Sequence, residues 1–208
     1  LCTSFVKGCD VDKEALTGEL TSYVQVGRRF QRAVNLERDF GRAHTLRGYQ
    51  VTPAVVHALQ QIRSGLGEGS TSRAWSLIGP YGSGKSAFAV FLSELLAPRG
   101  NANRTVARKL SRLAGAEFGR DIALNPVVLT GERAPLDTML LRALYGEVKR
   151  VAGTRSGKDP KLVRTLKRFA NGTKASARQC ETHDVVQCFE EAADYFQQLK
   201  LKQGKWLL

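Results

Sequence analysis

Six stretches of the chain repeat apolar residues at helical spacing, and compact apolar runs lie between them. Thr52-Pro53 is a helix start, an N-cap threonine with proline at the first helical position. Val55, Leu59, Ile62 and Leu66 follow at i, i+4, i+7 and i+11 as one buried stripe. A second helix is predicted from Lys85 to Ala97, with Phe88, Phe91, Leu92, Leu95 and Leu96 on one face and Pro98 as its stop. A third runs from Thr105 to Phe118, with Val106, Leu110, Leu113 and Ala114 inward. A fourth runs from Pro135 to Val151, carrying Leu136, Leu140, Leu141, Leu144 and Val148. A short helix carries Leu162, Leu166 and Phe169, and a last one spans His183 to Leu199 with Val186, Phe189, Ala193 and Phe196.

The strand signals are shorter. Ala74-Trp75-Ser76-Leu77-Ile78 reads as a strand entering a core, and Val127-Val128-Leu129-Thr130 as a buried one behind Asn125-Pro126. Lys205-Trp206-Leu207-Leu208 begins a third apolar run. Nearer the N-terminus, Tyr23-Val24-Gln25-Val26 alternates like a strand, and 28–36 reads as another strand or a short helix. The glycine-rich stretch 65–72 and the turn 99–103 are connectors. Residues 1–50 form a mixed N-terminal region, and 51–208 one core unit.

Between the 74–78 run and the helix at Lys85 lies Gly79-Pro80-Tyr81-Gly82-Ser83-Gly84-Lys85-Ser86, which fits G-x-x-x-x-G-K-[ST], the P-loop or Walker A pattern. Strand, glycine loop and helix come in the order phosphate binding needs. The glycines admit backbone conformations closed to other residues, so that successive N–H groups converge on an anion at a helix start. Lys85 is the catalytic contact to the β- and γ-phosphates, and the Ser86 hydroxyl the Mg²⁺ ligand. The predicted nucleotide-binding set is Gly79, Pro80, Tyr81, Gly82, Ser83, Gly84, Lys85, Ser86 and Ala87. ATP or ADP with Mg²⁺ is the expected ligand, and the loop by itself does not separate ATP from GTP. No guanine-reading Asn-Lys-x-Asp occurs, which counts against a GTPase.

Composition adds a second partner class. The 208 residues hold 32 Lys and Arg against 19 Asp and Glu, a net charge of +13. Such an excess suits a phosphate-rich partner or simply a basic soluble protein. It is concentrated between Lys149 and Arg178, where ten residues are basic and only Asp159 is acidic. There Lys161, Arg164, Lys167 and Arg168 surround the short apolar stripe, as a surface for DNA or RNA or as the solvated side of a helix. No apolar run approaches a membrane span, no signal peptide is evident, and four cysteines do not make a disulfide scaffold, so a cytoplasmic protein is expected. Cys180, His183 and Cys188 lack a fourth local zinc ligand, and Cys2 and Cys9 are distant in sequence. His57 reads as structural.

The order of a P-loop strand, a helix, a second strand, a helical region and a third apolar run resembles the ATPases of the AAA+ and STAND class. Arg47-Gly48-Tyr49-Gln50-Val51-Thr52-Pro53, Arg73 to Ser86 and Val127-Val128-Leu129-Thr130-Gly131-Glu132 look like the large ATP-binding proteins of bacterial phage-defence islands. The resemblance implies an α/β fold, a three-layer sandwich around a mainly parallel sheet. It implies an ATPase whose nucleotide binding drives a conformational or assembly switch in an oligomer or with a partner protein. It also implies that the third strand ends in Walker B acids, and here that run is cut after Leu208, so the sheet is expected to be incomplete. In that class a further strand separates the P-loop strand from the third. Glu132, just past the second strand, is the local acid placed to stand in for Walker B, and Tyr49 stands where related ATPases place a residue against adenine, or packs in the core. The rival reading is a basic nucleic-acid-binding module with a regulatory nucleotide site and no turnover.

Overall fold

A computed structural model describes residues 33–98, 103–118, 122–152, 161–170, 182–198 and the backbone of 206–207. The alternating run at 23–26, most of 28–36, and Cys2, Cys9 and Cys180 lie outside them. Seven helices and one minimal strand pair make up the described elements. They are α1 (Leu36–Asp39), α2 (Pro53–Gly65), α3 (Lys85–Leu96), α4 (Arg104–Leu113), β1 (Asn125–Pro126), α5 (Leu136–Ala152), α6 (Lys161–Ala170), α7 (Thr182–Gln198) and β2 (Trp206–Leu207).

This corrects the expected fold class. The described residues are mostly helical and do not form a three-layer α/β sandwich. Their sheet is one parallel pair, Asn125 with Trp206 and Pro126 with Leu207. Residues 74–78 are not a strand: Leu77 is 43% and Ile78 93% exposed, and no described segment pairs with them. A strand exists only through a neighbour's backbone, so apolar, β-branched content cannot make one by itself. The run 127–130 is likewise unladdered among the described residues, although Val127 is buried.

The helix signals are met more closely. Thr52 Oγ1 accepts from Val55 N at 3.4 Å, and Pro53 opens α2. The close of α3 follows from Pro98, whose ring pushes Ala97 to φ −53° and ψ 153°. Leu59 and Ile62 of α2, then Phe88, Val90, Phe91, Leu95 and Leu96 of α3, build a first apolar cluster with Leu46, Ala107, Phe118 and Leu124. Leu36, Tyr49 and Val51 pack on it from the N-terminal side. Trp75 lies against Gly65, where a Cβ would sit 2.4 Å from its Cζ2 and 2.2 Å from Ser72 O, so only glycine fits. A second cluster joins Val127 to Leu141, Leu144 and Val148 of α5, Leu162, Val163 and Leu166 of α6, and Cys188, Ala192 and Phe196 of α7.

Three helical faces differ from expectation. In α4, Val106 and Leu113 are exposed, and Arg104, Ala107 and Ser111 are buried instead. Polar anchors set that phase: the Arg104 guanidinium donates to Ala97 O and Ile122 O, and Ser111 Oγ donates to Ala116 O. Leu136 begins α5 in solvent, and Val186 of α7 is exposed while Cys188 and Ala192 face inward. No helix among the described residues is long and apolar enough to cross a membrane.

Candidate nucleotide-binding site

The loop 79–84 is mounted on the N-terminus of α3, whose opposite face is sealed into the first cluster. Gly82 and Gly84 have φ of 79° and 86°, the left-handed region, with open space where a Cβ would stand. Conformation rather than crowding therefore demands glycine at both positions. Gly84 also serves as the N-cap of α3, without a side-chain cap. Among the described residues, the backbone N–H groups of Gly82, Gly84, Lys85 and Ser86 donate to no partner. The Ser83 N–H is turned back to Pro80 O at 3.3 Å.

Lys85 folds over this loop. Its Nζ donates to Gly79 O at 2.9 Å, to Pro80 O at 2.7 Å and to Ser83 Oγ at 3.4 Å. The ammonium thus sits over the same turn as the free N–H groups, on exposed backbone. Ser86 is exposed on the first turn of α3, Ala87 is half-buried behind it, and Tyr81 at the loop tip is 98% exposed. Gly79 through Ala87 are therefore brought together as one exposed, donor-rich turn. The donor set fits a phosphate chain: fixed N–H groups at a helix start, one mobile cation, and a hydroxyl of the type that ligates Mg²⁺. Among the described residues, no group of three or more His, Cys, Asp and Glu side chains is placed to hold a metal by itself.

Tyr49 packs on the first cluster. Its ring stacks on Phe91 of α3, with centroids 4.7 Å apart and planes at 20°. Burial pushes its hydroxyl up to about 12. An unfolded tyrosine titrates near 10. Its folded value is raised, so stability is undiminished below pH 10 and is lost as pH rises from 10 through 12. Converted at about 1.4 kcal/mol per pH unit and discounted for the ring's partial exposure, the loss is about 1–2 kcal/mol. Thermal unfolding at pH 8 and pH 11 checks this. Tyr49→Phe keeps the stack and should flatten the alkaline decline relative to wild type, and equal declines would refute it.

The other sequence candidates are dispersed. Glu132 is ion-paired with Arg142 of α5, and both are half-exposed. They line a cleft of about 470 Å³ between α5, the 126–132 segment and Phe40. Its other charges are also engaged: Glu37 accepts from Thr130 N, and Arg150 makes a two-point pair with Glu147 at 2.6 and 2.7 Å. Lys161, Arg164, Lys167 and Arg168 share the exposed side of α6. His57 and His183 are exposed, and Cys188 is a buried free thiol. Sequence reasoning missed Glu94, which is fully buried on α3. Its only sequence-level trace is an acid at an apolar phase of the helix.

Comparison with family models, with curated proteins and with solved structures finds no match to this chain.

Proposed function

We propose that the chain binds a nucleoside triphosphate through Gly79–Ala87, with ATP and Mg²⁺ as the ligands, as the nucleotide-binding part of a P-loop ATPase. The observation that carries this reading is the turn itself. Two glycines at positive φ open four backbone donors at the start of α3, with the Lys85 ammonium over them. Phosphate oxygens would take over the acceptor role now played by Gly79 O and Pro80 O, and the Lys85 ammonium would follow them. Ser86 stands on the first helical turn, where its hydroxyl can reach an ion held by the phosphates. Asn-Lys-x-Asp does not occur in these 208 residues, which counts against a GTPase. The resemblance to phage-defence ATPases also favours ATP, and it is what suggests an antiviral role in an oligomer or with a partner protein.

Binding and hydrolysis should separate. Cradling phosphate and orienting the attacking water are different tasks. Among the described residues no carboxylate bonds to Lys85 or Ser86, and Glu132 is held by Arg142. The 208-residue chain is expected to bind ATP and ADP in the presence of Mg²⁺, and to release phosphate hardly above background. Equilibrium binding and a steady-state phosphate-release assay test both halves. Failure to bind either nucleotide overturns the site. Robust turnover that is abolished by Glu132→Gln would instead assign that carboxylate the catalytic role.

A further inference from the structure

Helix α6 carries a charge pattern that the nucleotide site does not use. At 100° per residue, Leu162, Val163 and Leu166 occupy one side of the helix, and all three are buried against α5 and α7. Lys161, Arg164, Lys167 and Arg168 fall within an arc of about 120° on the opposite side, and all four are exposed. No acid occurs in the helix. No described carboxylate pairs with any of the four cations. Arg168 lies over the ring of Phe169, with its guanidinium carbon 5.7 Å from the centroid, which stiffens that end of the row.

A solvated helix face normally mixes its charges, because like charges at i, i+3 and i+4 repel and weaken the helix by tenths of a kcal/mol per pair. Here Arg164 and Arg168 are at i, i+4, and Lys161–Arg164 and Arg164–Lys167 at i, i+3, with nothing to offset them. The second cluster holds the helix in spite of this. Lys161 to Arg168 spans about 10.5 Å of helix axis. Over such a length duplex DNA presents one negative charge per about 1.7 Å of its axis, twice the density of one strand, so a wholly basic row meets the most phosphate on a duplex.

We propose that the exposed side of α6 is a binding surface for the phosphate backbone of duplex DNA, independent of base sequence and of the nucleotide site. The surface takes its affinity from counterion release, with the four side chains contributing up to four contacts. A second copy of the chain is disfavoured as the occupant. Although Glu190, Glu191 and Asp194 of α7 are exposed, each molecule carries a net charge of +13 and repels its copy at low salt.

Fluorescence anisotropy of a fluorescein-labelled 20-base-pair duplex, titrated with the full chain at several salt concentrations, tests the proposal. Four contacts predict a slope of log affinity on log salt steeper by about 3–4 than in the variant Lys161→Gln/Arg164→Gln/Lys167→Gln/Arg168→Gln. A second variant removes four exposed cations elsewhere, Arg63→Gln/Arg73→Gln/Lys109→Gln/Arg133→Gln, and should keep the slope. A third exchanges Lys and Arg within the α6 row and should also keep it, which separates charge from fold. Equal losses in the first two variants would show diffuse attraction by net charge and overturn the proposal. So would salt-independent binding, tighter binding of a single-stranded oligonucleotide than of the duplex, or an α6 variant that alters only self-association.

Discussion

Replacing Lys85 with alanine is expected to weaken ATP binding about ten- to a hundredfold while leaving the fold almost untouched. The ammonium is the one cation of the loop, and a charge-assisted bond to phosphate carries roughly 1.5–3 kcal/mol. That energy is about one to two decades in affinity. In the absence of ligand, the same ammonium bonds only exposed acceptors, Gly79 O, Pro80 O and Ser83 Oγ. Water replaces it there at little cost, so the unfolding free energy from urea titration should change by no more than the few tenths of a kcal/mol usual for an exposed site. Calorimetry on wild type and Lys85→Ala, paired with urea unfolding of both, reads the two effects separately. Equal nucleotide affinity in the two proteins would refute the proposed role. A large fall in stability with an equal fall in binding would mean that the lysine holds the loop rather than the phosphate.

That separation of binding from stability follows from how the loop is supported. The backbone turn is set by Gly82 and Gly84, and α3 is fixed by Phe88, Phe91, Leu95 and Leu96 in the first cluster. Neither depends on the Lys85 side chain. Such local features are also the ones that could be read from sequence. A glycine at positive φ, a threonine–proline helix start and an amphipathic ten-residue helix each depend on residues within a turn or two of one another. The loop, the start of α2 and the cation row of α6 were legible for that reason.

What could not be read depends on partners far along the chain. Residues 74–78 have the composition of a strand, but a strand is a relation between two segments, and no described segment pairs with them. The expected sheet therefore reduces to Asn125–Pro126 against Trp206–Leu207. The phase of α4 departs from its apolar periodicity because Arg104 and Ser111 are buried by bonds to backbone carbonyls, while Val106 and Leu113 stay in solvent. Hydrophobic periodicity cannot anticipate an arginine that satisfies orphan carbonyls at a helix end. The resemblance offered Tyr49 either as an adenine contact or as a core residue, and only the packing shows one of its ring faces taken by Phe91.

Glu94 is the extreme case of a long-range partner, and its removal is expected to cost more than that of any other polar side chain on α3. Its carboxylate is fully buried. Oε1 accepts from Gly41 N at 2.8 Å and from Asn103 Nδ2 at 2.8 Å, and the same Asn103 amide reaches Arg42 O at 2.7 Å. One oxygen thus ties the turn after α1 and the start of α4 to the helix that carries the nucleotide loop. Arg150 on α5 lies over the Phe40 ring at 5.6 Å, and its guanidinium is held charged first by its hydrogen bonds to Glu147 and, last, by the charge of Glu94. Alanine at 94 would deprive the buried Asn103 amide of this acceptor, at about 1–3 kcal/mol, release the Gly41 N–H to water, and leave a new void. Relief of the carboxylate's own desolvation offsets part of that cost. A net loss of about 2–4 kcal/mol is expected, a large share of the 5–15 kcal/mol that holds a typical domain together. Glutamine keeps the Oε1 acceptor and should lose about 1 kcal/mol. Urea unfolding with unchanged m-values measures both, and faster hydrogen exchange at the Gly41 amide in Glu94→Ala locates the damage. The loop lies about 13 Å of helix axis away from Glu94, so nucleotide affinity in the folded variant should be nearly that of wild type. A Glu94→Ala protein as stable as wild type would show that solvent or other groups satisfy those donors, and that the polar link between the three elements contributes nothing.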